Sequence, residues 1–185
     1  ARDLLKAAEI EVIVEGTPPP WGVMHVSNHR SFMDIIVLMG YAPGTFLSKA
    51  EVADWPIIGP AAKLASTVFV KREIKDSRLA ARETLRELLE EGASITIFPE
   101  GTTRSPLDEL AFRTGSFEVA AETKSKIVPI AVEYPRVSDA WINGEPVGAY
   151  YRRVFDRPMT VHMRIGPVME HEDGKKLAKM AEDWV

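Results

Sequence analysis

A histidine and a carboxylate five residues apart, His29 and Asp34 in Val26-Ser27-Asn28-His29-Arg30-Ser31-Phe32-Met33-Asp34, are the first groups whose types and spacing suit chemistry. Imidazole is the side chain best matched to proton transfer near neutral pH. A carboxylate beside it can fix the tautomer and stabilise the imidazolium that forms. The apolar run Val23 to Val26 reads as a strand, and a second apolar run begins at Ile35, directly after Asp34. The pair would then lie at a strand-to-helix turn, where α/β domains commonly expose functional groups. The plain alternative is a structural histidine at the end of a strand.

Three further features follow strand-like runs. Phe98-Pro99-Glu100-Gly101-Thr102-Thr103-Arg104-Ser105 comes after the apolar stretch from Ile95. A turn at Gly101, the hydroxyls of Thr102 and Thr103 and the planar fork of Arg104 suit a cluster of anionic oxygens. Lys49 follows Thr45 to Ser48, and Arg72 follows Ser66 to Val70. Each cation alone reads as a solvated charge. Brought to one sheet edge beside His29 and Asp34, they describe a site that holds a phosphate while a base removes a proton nearby. The spacing of His25 and His29 would make a metal pair on a helix, but here the two fall on a strand and its exit, so no metal site is expected. His162 and His171 have no acidic partner at useful spacing and read as structural. There is no Gly-x-Ser-x-Gly elbow and no P-loop.

The elements that must position these groups alternate. Helical patterns cover residues 2–9, 31–39, 76–91, 114–122 and 173–184, with another beginning near Pro60. Strand patterns cover 11–14, 21–27, 45–48, 66–70, 95–98, 127–132 and 160–165. Residues 135–157, rich in Pro, Gly and aromatics, read as a long loop. Arg78, Arg82 and Arg86 lie opposite the stripe Ala81, Leu85, Leu88 and Leu89, among Glu83, Glu87 and Glu90, as a solvated, salt-bridged face. The alternation predicts one α/β layered domain over residues 1–185, with a largely parallel or mixed central sheet flanked by helices.

Composition narrows the class. The 185 residues are 45% hydrophobic and 27% charged, as in an ordinary globular domain able to bury a core. The net charge of -4 offers no global basic field, so nucleic acid is not an expected partner. With no cysteine, disulfides, a thiol nucleophile and a thiolate metal site are all excluded. No apolar run approaches the roughly 18 residues needed to span a bilayer. The chain begins with Ala inside an amphipathic stretch, and a missing N-terminal, membrane-associated segment is the corresponding expectation.

Asn28-His29-Arg30-Ser31-Phe32-Met33-Asp34 resembles the Asn-His-x-x-x-x-Asp motif of the glycerolipid acyltransferases. More closely, the chain is similar to the lysophosphatidic acid acyltransferase, or PlsC-like, family. Lys49 with Trp55-Pro56-Ile57-Ile58-Gly59, then Val68-Phe69-Val70-Lys71-Arg72, the Phe98 to Ser105 run and Val128-Pro129-Ile130 resemble further family blocks in order. One departure is the extra Thr103 between Thr102 and Arg104.

The resemblance implies His29 as general base on an acceptor hydroxyl and Asp34 as its orienting partner. It implies Glu100 and Gly101 as walls of the acceptor pocket, Lys49, Arg72 and Arg104 on the acceptor phosphate, and Pro129 beside a substrate channel. The implied acceptor is 1-acyl-sn-glycerol 3-phosphate, and the donor is a fatty acyl thioester of coenzyme A or acyl carrier protein. A thioester is already activated, so no cofactor is expected. Fatty substrates imply a membrane surface, met peripherally on the cytoplasmic face. Residues 173–185, with Lys175, Lys176 and Lys179 beside an apolar side, could attach there or simply cap the core. Another lyso-lipid acceptor, such as lyso-ornithine lipid or lysophosphatidylglycerol, a thioester hydrolase and a non-catalytic lipid-phosphate or acyl-carrier binding module remain as alternatives.

Overall fold

Short apolar runs separated by amphipathic stretches give strands that must be covered on both faces, and the chain folds accordingly. The computed structural model describes residues 1–54, 59, 63, 67–70, 76–103, 111–142 and 144–185. In chain order, its elements are α1 (Arg2–Ala7), β1 (Ile10–Glu15), β2 (Met24–Ser27), α2 (Met33–Tyr41), β3 (Thr45–Lys49), β4 (Val68–Val70) and α3 (Asp76–Glu90). Then come β5 (Ile95–Ile97), α4 (Gly115–Glu122), β6 (Ile127–Glu133), α5 (Val147–Phe155), β7 (Met159–Ile165) and α6 (Gly174–Trp184).

The strands form one sheet in the order β1-β7-β6-β2-β5-β3-β4. Every pairing is parallel except β6 with β7. The carboxyl ends of β6, β2, β5, β3 and β4 therefore share one edge. That edge receives the turns after Ser27 and Ile97 and the backbone of Lys49.

Two apolar layers cover the sheet. On one face Leu5 of α1, Val37 and Leu38 of α2, and Tyr150 and Val154 of α5 pack with Val128, Ile130 and Val132 of β6. On the other, Leu85 and Leu89 of α3, Phe117 of α4 and Leu177 and Ala181 of α6 pack on Met24, Val26, Ile95 and Ile97. Such two-sided cover is what a parallel sheet requires, and it leaves all four residues of β2 buried.

The structure corrects several boundaries. Residues 135–157 are not a continuous loop: α5 occupies Val147–Phe155, and a short 3-10 turn spans Val137–Asp139. The glycines and Pro146 mask a helix whose Tyr150 and Val154, four apart, enter the core. The second strand begins only at Met24, and α2 continues through Gly40, whose carbonyl accepts a bond from Arg2 Nε at 2.6 Å. Arg82 and Arg86 are not merely solvated: they reach across to α4, at 2.7 Å from Glu118 and 2.5 Å from Glu122 respectively. The helix expected near Pro60 falls outside the described residues.

Candidate active site

β2 ends at the sheet edge, and the amide of Asn28 takes over the pairing its backbone gives up. Asn28 Nδ2 donates to Val132 O at 2.9 Å, and Val132 N donates to Asn28 Oδ1 at 2.8 Å. The chain can then turn away from the sheet without stranding buried polar groups. His29 comes next, on the turn, and Asp34 sits fully buried in the first turn of α2. A negative charge there is favoured by the positive end of the helix.

His29 Nδ1 lies 2.9 Å from Asp34 Oδ2. The same oxygen accepts from Arg30 N at 2.7 Å and Ser31 N at 2.8 Å. Asp34 Oδ1 accepts from the Tyr134 hydroxyl at 2.5 Å. A buried carboxylate with this many donors is fixed in orientation. It therefore orients the proton of His29 onto Nδ1 and leaves Nε2 to act on a substrate. The imidazole stacks on Phe98 at 4.0 Å between centroids and 15° between planes, and its side chain is 11% exposed. Packing and hydrogen bonding thus hold the ring while one edge remains open.

Glu100 forms the other wall. It follows β5 and is almost completely buried. Both its oxygens accept from Arg30 Nη1, at 2.8 and 2.9 Å, and the backbone N–H of His29 also faces it. Burial raises the carboxyl above its ordinary range, and Arg30 opposes that rise. The backbone N–H groups beside His29, which the chemistry would suggest as oxyanion donors, thus already face carboxylates. Gly101 adopts φ +75°, and a Cβ there would stand 2.7 Å from the Arg113 guanidinium, which accounts for glycine at this turn.

Several expected residues converge and others do not. His29, Asp34, Glu100 and Gly101 meet at the carboxyl edge of β2 and β5, with Thr102 exposed beside them. The backbone of Lys49 ends β3 at that same edge. Arg72 and Arg104 lie outside the described residues. Pro129 is buried in the middle of β6 opposite Val26, near Gly166 and Trp184, away from the His29 turn. His25 turns inward, with Nδ1 3.1 Å from Thr96 Oγ1, and shares nothing with His29. The α6 stripe, Leu177, Ala178 and Ala181, is occupied by the core. Two concavities among the described residues, one bounded by Arg136, Asp139 and His162 and one by Pro18, Pro19 and Val168, are not lined by His29.

Sequence reading missed Tyr134, Tyr150 and the Arg30–Glu100 pair. Tyr134 is 100 residues from its partner, so no local pattern announces it. Asn28 was visible only as part of a motif, without its clamp on β6.

The acyltransferase family model matches residues 10–133, most of the chain, from the start of β1 to the end of β6. The chain belongs to the acyltransferase family. It is 41% identical over 133 residues to a lyso-ornithine lipid O-acyltransferase of Pseudomonas aeruginosa, covering 72% of this chain and 51% of that protein. It is 31% identical over 135 residues to a 1-acyl-sn-glycerol-3-phosphate acyltransferase of Neisseria meningitidis, covering 72% and 53%. The chain thus spans about half the length of these curated relatives. Its fold matches the crystal structure of the 1-acyl-sn-glycerophosphate acyltransferase PlsC from Thermotoga maritima with a TM-score of 0.68. The identity there is 24%, over 100% of this chain and 77% of that one.

Proposed function

We propose that this chain transfers a fatty acyl group from an acyl thioester, of coenzyme A or acyl carrier protein, to the free hydroxyl of 1-acyl-sn-glycerol 3-phosphate, giving phosphatidic acid. The observation that carries the reading is the His29–Asp34 pair at 2.9 Å, with Asp34 fixed by two backbone N–H groups. His29 Nε2 takes the hydroxyl proton as the oxygen attacks the thioester carbonyl. The tetrahedral intermediate collapses, the carbon–sulfur bond breaks, and the imidazolium returns the proton to the departing thiolate. No cofactor is needed in this reading, because the thioester already carries the activation. Lys49, Arg72 and Arg104 are proposed to bind the acceptor phosphate, with Glu100, Gly101 and Thr102 shaping the pocket. A remote clamp of that kind fixes the approach geometry of the hydroxyl.

Lyso-ornithine lipid is the second acceptor to weigh. The 41% identity to an enzyme named for that acceptor favours it, as does the extra Thr103 ahead of Arg104.

The test follows thiol release and lipid product together, with palmitoyl-coenzyme A or acyl carrier protein thioester and each of the two acceptors. Phosphatidic acid is expected from the parent. His29→Ala should lower kcat by about a thousandfold and Asp34→Asn by about a hundredfold, in the range of general-base catalysis. Free fatty acid without a new lipid would sink the transferase reading. Acylation of lyso-ornithine lipid alone would replace the acceptor.

No helix among the described residues is long and apolar enough to cross a membrane. Peripheral attachment to the cytoplasmic face of the membrane is part of the proposal because both substrates are fatty. Flotation with anionic vesicles is expected, and a chain left at the bottom of the gradient would remove that part.

A further inference from the structure

Asp34 presents two oxygens, and they are treated differently. Oδ2 takes the imidazole and two backbone N–H groups, all from the same short turn. Oδ1 takes a phenol from the neighbouring strand's end, Tyr134, the residue directly after β6. Tyr134 is 6% exposed. The Asn28–Val132 clamp fixes the end of β6 two residues before it, so the phenol reaches the carboxylate from a set register.

The hydroxyl chain continues. The Ser31 Oγ faces the Tyr134 phenol, forms a short hydrogen bond with the Tyr150 hydroxyl of α5 and accepts from Met33 N at 3.0 Å. Ser31 is fully buried, as is Tyr150. The proton of Tyr134 is therefore directed at Asp34, with Ser31 of the His29 turn beside the phenol and Tyr150 of α5 bonded to Ser31 in turn. A tyrosine placed only to fill this volume would gain nothing from its oxygen, because a phenylalanine would pack as well and leave no polar atom to satisfy.

From this arrangement, and resting on the catalytic reading of His29, we infer that Tyr134 is a positioning residue for the dyad, holding Asp34 by Oδ1 so that Oδ2 stays aligned with His29 Nδ1. Burial, with Asp34 close by, raises the phenol well above its ordinary range, so it remains a donor throughout the working pH range. The charged and titratable groups facing the pair come from every neighbouring element. They are Arg30 in the turn, Glu100 after β5, Tyr134 after β6 and Tyr150 on α5.

Tyr134→Phe keeps the ring and removes the oxygen. The expected result is a kcat about tenfold lower with KM within about twofold, the size of one hydrogen bond to a charged group. The downfield proton resonance of His29 Nδ1, assigned by its loss in His29→Ala, should broaden or move in the same variant. Unchanged kcat and an unchanged resonance, whatever the melting temperature, would overturn the inference and leave Tyr134 as packing. Ser31→Ala leaves Tyr134 in place and removes the hydroxyl beside it, and should show a smaller loss of about threefold with the same spectral change. If Tyr134→Phe does not fold, an unaltered resonance and kcat in Ser31→Ala overturn the inference. The resonance is read on the resting protein. A parent chain without acyl transfer would thus sink the catalytic reading, while the spectrum would still decide whether Tyr134 holds the pair.

Discussion

His25 and His29 lie four residues apart, and burial has set them to different work. His29 has a carboxylate on Nδ1 and an open edge, whereas His25 has only the Thr96 hydroxyl and a buried Nε2 with no partner among the described residues. Burial brings His25 down from 6.5 to about 4. The sign of the consequence follows. The unfolded chain takes up a proton near the ordinary value, while the folded chain resists until the lower one. The stability contributed by neutral His25 is thus fully present above about pH 6.5 and is lost as the pH falls towards about 4. Going from about pH 7 to about pH 5, the parent should lose about 2 kcal/mol more than His25→Gln. Urea midpoints at the two pH values check this, and equal losses would remove the argument. At this scale the pair His29 and Asp34 was legible from residue type and spacing, whereas the inward turn of His25 was not. Its neighbour Thr96 belongs to another strand.

The helices show which faces the sequence discloses. α3 announced itself through Leu85 and Leu89, because a stripe at helical period needs no knowledge of its partner. The partner appeared only in the fold, where Arg82 and Arg86 bind Glu118 and Glu122 of α4. α4 in turn lies tight against α6. A Cβ on Gly174, the first residue of α6, would stand 2.5 Å from Glu118 Cα and 2.6 Å from Glu118 N. These are backbone atoms with no rotamer to yield, so α6 itself would have to move. Gly174→Ala should cost about 1–3 kcal/mol, seen as a melting point lower by several degrees. An unchanged melting point would show that α6 can shift freely. α5 stayed hidden because Gly144, Pro146 and Gly148 carry loop chemistry, while its anchors Tyr150 and Val154 acquire meaning only against the sheet.

The sheet joins the two apolar layers into one cooperative unit. Phe117 is fully buried in the layer of α3, α4 and α6, and the His29 turn is supported mainly from the other layer. Phe117→Ala should cost about 3–5 kcal/mol, and far- and near-ultraviolet circular dichroism should still melt together. Separate midpoints would mean that the two layers unfold independently. The same topology explains the position of the site. Parallel neighbours β2, β5 and β3 bring Ser27, Ile97 and Lys49 to one edge, so residues distant in sequence arrive side by side.

The sequence by itself determined the alternation of strands and helices, the His29–Asp34 pairing and the Glu100–Gly101 turn. Each depends on residue types within a few positions of one another, where period, turn chemistry and spacing act directly. Only the tertiary structure decided that Asn28 would clamp β6, that Arg30 would meet Glu100, and that Tyr134 would reach Asp34 across 100 residues. Those contacts depend on strand order and register, which emerge when both faces of the sheet are buried together and leave no trace in any one stretch of chain.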